Sequence, residues 1–364
     1  MSSGYVKDLS ALTMLASGVE MPLDLQDGLI TPNDRFFLCH AEPTPVVQAQ
    51  GWSLGIEGNG VTTPLCLSLA DLQAMEQVTV RAVIECAGNQ RQLFEDVLGE
   101  PLNRRPEETE LRWTLGGVGM ADWRGVRLRD VLERAGITDD ACHVMPISID
   151  TSDEEPDGMR IPLPAAKALD PDTLIALEMN GEPLPADHGF PARLITPGWV
   201  GTYSIKWLDR IEVSREHRWV ARNTLRYVMM GEAWADRNWS PARGPQITEH
   251  PVRSSLALPW SGATLAPGQH RLHGFARGGE TAIVHVTWSS DGGTTWRDAE
   301  LLSPSQRYAW VRFACDWLAT PGEHTIMTRA TDAAGRTQPM TQPFNDGGYL
   351  FHMVHPHPVT VASV

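Results

Sequence analysis

The chain has 364 residues, enough for about two domains with separate cores. Hydrophobic residues make 42% of it and charged residues 21%, with 13 tryptophans, a balance that excludes an intrinsically disordered chain. The formal charge of −15, from 45 acidic against 30 basic residues, argues against a nucleic-acid partner, whose phosphates call for Lys and Arg, and leaves room for a basic protein partner.

Cys39, Cys66, Cys86, Cys142 and Cys315 are odd in number and scattered, which is not a disulfide framework, so reduced thiols are expected. The N-terminus lacks both a basic start leading into an apolar core and a twin arginine. No apolar run approaches the ~18 residues of a membrane span. A cytoplasmic location is expected, or a periplasmic one if a leader has been removed.

Residues 1–28 read as an arm: Met14, Leu15, Val19 and Met21 hold no clean period, and Pro22 interrupts them. Residues 52–58 suggest a strand, and Ser68 caps a short helix through Met75 with Leu69, Leu72 and Met75 on one face. In the next strand Val78, Val80, Ala82, Ile84 and Cys86 alternate, so it ends by presenting a thiol beside Gly88. A thiol at a strand tip suits a soft metal; a small buried hydrophobe is the other reading of a free cysteine. Residues 101–109 are polar and aperiodic, hence a loop. The glycines of residues 113–126 let backbone approach a ligand closely, without the lysine of a P-loop.

Leu128, Val131, Leu132 and Ala135 form the apolar stripe of a helix ending at Gly136. Residues 144–149 read as a buried strand running to Asp150, followed by an acidic loop over 153–157. Residues 161–164 open a short helix through Leu169, and residues 174–179 form a strand closing in an Asn180-Gly181 hairpin turn. After about Gly244 the pattern changes to short, often alternating segments, 270–276, 282–289, 308–313 and 325–331, separated by glycine turns. That spacing predicts a β-sandwich, with Ala282, Val284, Val286 and Trp288 on one face. His352, His355 and His357 lack acidic or thiolate companions and are split by Pro356, so they read as a solvated terminal strand and not as a metal site.

Cys86-Ala87-Gly88-Asn89-Gln90-Arg91 resembles the Cys-Ala-Gly-Asn-Arg-Arg signature of the sulfite oxidase family. Residues 31–45, with a Thr-Pro-Asn start, the Phe36-Phe37 pair and a Pro43-Thr44-Pro45 end, resemble its second signature, except that Cys39 stands where members place an arginine for the substrate anion. A cysteine cannot supply that arginine's fixed fork of donors. Residues 113–126 resemble the family's Trp-x-x-Gly-Ala-Ile-x-x-Ala-x-Trp-x-Gly-Val run, and residues 188–208 match its His-Gly-Phe-Pro-x-Arg and Lys-Trp-Leu pattern almost residue for residue. Residues 290–296 resemble its immunoglobulin-like dimerisation domain.

The resemblance implies an α+β chain: a mixed α/β molybdopterin-binding domain over residues 1–245, with 1–28 as its arm, followed by an immunoglobulin-like β-sandwich over 246–364. It implies a molybdenum-molybdopterin cofactor with Cys86 as the metal's protein ligand. Phe37, Cys39, His40, Asp150, His188, Arg193, Ser204, Ile205 and Lys206 would hold the cofactor. An anionic phosphate in a buried cleft needs cations and backbone donors, which this set contains. Arg91, Trp113, Tyr227 and Arg307 would face the substrate. The same residue types also suit plain structure: Arg193 and Lys206 as surface cations, Trp113 in a core, Tyr227 at a core edge, Arg307 at a strand end and Cys39 as a buried filler.

By analogy the reaction is oxygen-atom transfer on sulfite, in a homodimer, with electrons passed to a separate acceptor such as a c-type cytochrome, because no Cys-x-x-Cys-His haem motif occurs. Neither nucleic acid nor membrane is an expected partner. Cys39 and Gln90 both reduce positive charge relative to the family pattern, so a sulfoxide, another sulfur oxyanion or nitrate is the alternative substrate. A cofactor-free β-sandwich interaction protein is a third reading, against which Cys86, His188, Arg193 and Lys206 speak.

Overall fold

The computed structural model describes residues 4–40, 42–102 and 111–363. The strand expected to lead to Cys86 forms as Val78–Glu85 and pairs antiparallel, along its whole length, with Val118–Arg127. Val118–Arg127 pairs on its other edge with Leu174–Met179. That strand turns through Asn180 (φ 56°) and Gly181 (φ 82°) into Glu182–Pro183, the left-handed pair that a two-residue hairpin demands. Arg193–Ile195 completes this first sheet by pairing with the start of Leu174–Met179.

A second sheet runs in the order Leu65–Ser68, Ser53–Glu57, Leu208–Ser214, His143–Ser148, Leu163–Pro164. Ser53–Glu57 and Leu208–Ser214 are parallel, which requires a long crossover, and the whole first sheet lies within that connection. The helix Leu69–Ala74 opens on the predicted Ser68 cap, with Ser68 and Asp71 bonding each other's backbone N–H groups. Leu128–Arg134 stops just before Gly136, whose φ is 68°. Leu54, Ile56, Leu72, Val126, Val131, Ile175 and Ile211 close one core in which both sheets and both helices take part.

Beyond residue 250 two further sheets stack face to face. One is ordered Arg253–Leu256, Gly268–Arg277, Val311–Ala319, Glu300–Leu301, and the other Thr264–Leu265, His357–Val361, Gly322–Asp332, Ile283–Ser289, Arg297–Asp298. Leu272, Phe313, Val286, Trp288, Ile326 and Val359 fill the space between them, the packing of a β-sandwich. A third cluster joins the halves: Met21, Val83, Phe94 and Met120 pack with Phe275, Trp310 and Phe351.

Four expectations are corrected. The arm is not featureless, because Thr13–Met14 and Gly18–Glu20 form a small sheet with Leu38–Cys39, where strand partners supply the order that periodicity does not. Val284 does not share the face of Val286 and Trp288: a register shift between Ile283 and His285 turns Ile283 inward and leaves Val284 49% exposed. The strand expected at 308–313 is displaced to Val311–Ala319, since Tyr308 adopts a left-handed φ of 64°. His355 and His357 are buried and not solvated, with Trp260 edge-on to both rings, and burial pushes their imidazoles down to about 3 and about 4. The loop expected at 101–109 lies outside the described residues apart from its first two. Among the described residues no helix is long and apolar enough to cross a membrane.

Candidate active site

Val78–Glu85 delivers Cys86 to the floor of a cavity, and the chain then turns sharply. Cys86 N–H donates to the Gly117 carbonyl at 2.9 Å, and the Cys86 carbonyl accepts from Asn89 N–H at 2.9 Å. Asn89 is itself anchored: its Oδ1 accepts from Gly117 N–H at 2.9 Å, and its Nδ2 donates to Glu85 at 2.7 Å. Cys39, at the end of Leu38–Cys39, brings a second thiol to the same cavity, where the surface it exposes is cavity wall. The two thiols face the same cavity and act on each other's charge. The Cys86 thiol, with Lys206, Arg222 and Arg91 nearby, lowers Cys39 to about 7, while Cys86 is pushed up by the Cys39 thiol and by burial.

The cavity has an inner and an outer part, with Cys39, Cys86, Met159 and Tyr227 common to both. Phe37, His188, Arg193, Ser204 and Lys206 line the inner part. Arg193 donates to the carbonyls of His188 (3.0 Å) and Ser204 (2.9 Å), and its buried Nε has no partner. Lys206 Nζ bonds His40 Nδ1 at 2.6 Å and donates to the Asp187 carbonyl at 3.0 Å. Each of these partners is a carbonyl or an imidazole, so neither cation faces a carboxylate in these bonds. Burial accordingly lowers Lys206 to about 7 and Arg193 to about 9, and holds His188 well below its ordinary value. Buried cations that donate to no carboxylate are costly, and they mark a place that takes an anion. A thiol at one end and buried cations at the other fit a group with a soft metal and a phosphate.

Arg91, His40, Asp150 and Tyr227 line the outer part. Arg91 is held by the carbonyls of Leu111 (2.9 Å) and Gly348 (3.3 Å), and its guanidinium lies 5.1 Å from the Tyr349 ring centroid. Three expected residues lie elsewhere. Trp113 is fully buried edge-on to Phe37 and lines neither part, because Gly18 and Gly117 let the indole sink into the core. Ile205 is likewise fully buried, its carbonyl taken by Leu194 N–H. Arg307 turns outward to the Glu280 carbonyl and the Tyr308 hydroxyl, with Asp172 at 3.8 Å. Gln90 also points away from the cavity: its amide donates to Ser255 at 2.6 Å, so its neutrality does not alter the charge of the cavity wall.

Sequence reasoning missed four residues here. Lys7 reaches from the arm to His188 Nε2 (3.1 Å) and the Phe36 carbonyl (2.5 Å), and burial lowers it to about 8. Its signal was that it is the sole basic residue before position 29. Asp187 secures that arm by accepting from Val6 and Lys7 N–H and from the Thr44 hydroxyl. Arg222 and Glu155 meet across the outer cavity, and nothing in their local patterns predicted it.

The oxidoreductase molybdopterin binding domain matches residues 41–220, and the Mo-co oxidoreductase dimerisation domain matches residues 245–360. Mitochondrial sulfite oxidase of Mus musculus is 35% identical over 331 residues, covering 87% of this chain and 58% of its own length. The chain thus spans little more than half of that relative. Sulfite oxidase of Arabidopsis thaliana is 32% identical over 340 residues, covering 86% of this chain and 84% of its own. The crystal structure of the sulfane dehydrogenase SoxCD from Paracoccus pantotrophus superposes with a TM-score of 0.81 at 24% identity, over 99% of this chain and 90% of that one, a likeness of fold. With both domains matched in order and a thiol opposite a cation-lined pocket, the chain belongs to the sulfite oxidase family.

Proposed function

We propose that the protein is a molybdenum-dependent oxidoreductase acting on a sulfur compound and passing electrons to a separate acceptor, such as a c-type cytochrome. The observation that carries this is the pairing, in one cavity, of the Cys86 thiol with the buried cations Arg193 and Lys206, whose hydrogen bonds go to carbonyls and an imidazole. When bound, the molybdenum-molybdopterin group supplies two-electron oxygen-atom transfer. Cys86 is its protein ligand. Arg193, Lys206, Lys7 and the Ser204 loop take its anionic end, with His188, His40, Phe37 and Asp150 shaping the walls. Arg91 offers the substrate a cation fixed by two carbonyls, and Tyr227 offers it a hydroxyl kept protonated, since burial raises its pKa. Residues 1–245 carry the cofactor and residues 246–364 the contact of a homodimer.

Cys39 supports a second reading of the substrate. The thiol stands in the cavity wall in place of the family's arginine, so free sulfite is bound with one guanidinium fewer at that position. Metal analysis of protein from a molybdate-supplied host tests the first claim: stoichiometric molybdenum in wild type and its loss in Cys86→Ser are expected, and a metal-free wild type overturns it. Steady-state assays with sulfite then read the second, because a KM that drops in Cys39→Arg with little change in kcat is the expected outcome if sulfite is not the native substrate.

A further inference from the structure

A guanidinium from another element reaches the cavity near Cys39. Residues Arg222–Arg226 form a π-helical turn, closed by Tyr227 N–H donating to the Arg222 carbonyl at 2.9 Å. Such turns are rare and concentrate at functional sites. The wider turn brings residues 222 and 227 together, so the Arg222 guanidinium lies 5.8 Å from the Tyr227 ring centroid and both line the outer cavity. The charge of Arg222 is also felt at the Cys39 thiol.

Arg222 does not present a bare cation. Its Nε and Nη2 donate to the two oxygens of Glu155 at 2.6 and 2.5 Å, a bidentate fork on a carboxylate that is itself only 15% exposed. The remaining nitrogen, Nη1, has a single long contact, 3.4 Å to the Thr202 hydroxyl, and is the donor left for a ligand. One turn on, Arg226 makes a single contact with Glu154, whose carboxylate is mostly exposed. Among the described residues three arginines line the outer cavity; Arg222 and Arg226 each have an adjacent carboxylate, while Arg91 is held by carbonyls.

We propose that the Arg222–Glu155 pair is the specificity element of this site, rejecting free oxyanions and admitting an uncharged thioether or its sulfoxide, the S–O oxygen of the sulfoxide accepting from Arg222 Nη1. This deepens the function proposed above and rests on it. In the oxidative direction the balance is one thioether and one water giving one sulfoxide, two protons and two electrons, the electrons leaving singly to a one-electron acceptor. Glu155 acts by repelling a second negative charge while holding the fork of Arg222 fixed. Arg222 touches the oxygen of the sulfoxide.

The test is equilibrium binding to the molybdenum-loaded enzyme at low ionic strength, using sulfate as an unreactive oxyanion and dimethyl sulfoxide as the neutral probe. Wild type is expected to prefer dimethyl sulfoxide. Glu155→Gln should tighten sulfate by at least about ten-fold, the effect of removing one nearby unscreened carboxylate, while moving dimethyl sulfoxide by less than about three-fold. Arg222→Met should weaken dimethyl sulfoxide by about ten-fold or more, the usual loss when one hydrogen bond from a charged donor is removed. Wild type binding sulfate more tightly than dimethyl sulfoxide overturns the proposal without recourse to any variant, and so does a sulfate affinity unchanged in Glu155→Gln. Molybdenum content and sulfur oxidation, read on the same samples, judge the function proposed above separately, since the binding preference is measured without turnover.

Discussion

The buried carboxylate of Glu85, one residue before Cys86, offers the sharpest test of how the two halves of the chain hold the site. Glu85 is fully buried and meets two arginines of the sandwich: Arg253 at 3.0 Å, and Arg277, which grips both of its oxygens. Burial works against its charge, yet the two arginines outweigh it and hold the carboxyl below its ordinary value of 4.5. Glu85→Gln keeps the shape and the Asn89 contact while leaving two buried guanidiniums without a counter-charge. Removing one partner of a buried pair costs about 3–5 kcal/mol. At about 2–4 °C per kcal/mol for units of 150–250 residues, the melting point should fall by about 6–20 °C. The sign with pH follows from the lowered pKa: the contribution is fully present above 4.5 and fades as pH falls through the folded value, so the gap between wild type and variant should be constant at neutral pH and narrow in acid. Denaturant unfolding of Glu85→Gln, Arg277→Met and the double variant supplies the measurement. A loss below about 1 kcal/mol, or single effects that add within about 0.5 kcal/mol, would refute the reasoning.

Burial lowers Lys206 to about 7 and Lys7 to about 8, so an anion that restores their charge must bring protons with it. Inorganic pyrophosphate should therefore bind the cofactor-free protein with proton uptake near pH 8 and weaken as pH rises; calorimetry in buffers of different ionisation enthalpy reads this, and Lys206→Met should remove most of it. For the same protein without anion, the unfolded chain holds more protons than the folded one between about 7 and 10.5, so this lysine contributes a stability that rises with pH across that window. Gly189 has a φ of +108°, and an added Cβ would stand 3.0 Å from Arg193 Cβ and 3.1 Å from Lys206 Cβ. Gly189→Ala should cost about 1–3 kcal/mol of stability and reduce molybdenum content, because the strain falls on the two cations that face each other there.

Much of the fold was legible because it rests on local signals. The Ser68 cap, the Gly136 stop, the Asn180-Gly181 hairpin and the alternation leading to Cys86 each need only a few neighbouring residues, and each appears in the structure. The errors lie where long-range partners override local pattern: strand pairing orders the arm, a bulge rotates Val284 outward, and Trp260 covers His355 and His357.

The candidate site divides in the same way. Cys86, His188, Arg193 and Lys206 stand in short motifs dense in glycine, proline and aromatic residues, where backbone geometry and chemistry are encoded together, so the sequence alone pointed to the thiol and to the cations. Which groups meet those residues was a matter of tertiary structure. Lys7 closes on His188 across the molecule, Trp113 and Arg307 turn away from the cavity, and Glu155 clasps Arg222 from the acidic loop. A carboxylate's partner is set by distance in space, which the order of residues does not contain, and the charge that a substrate would meet in this cavity was therefore decided only when the chain folded.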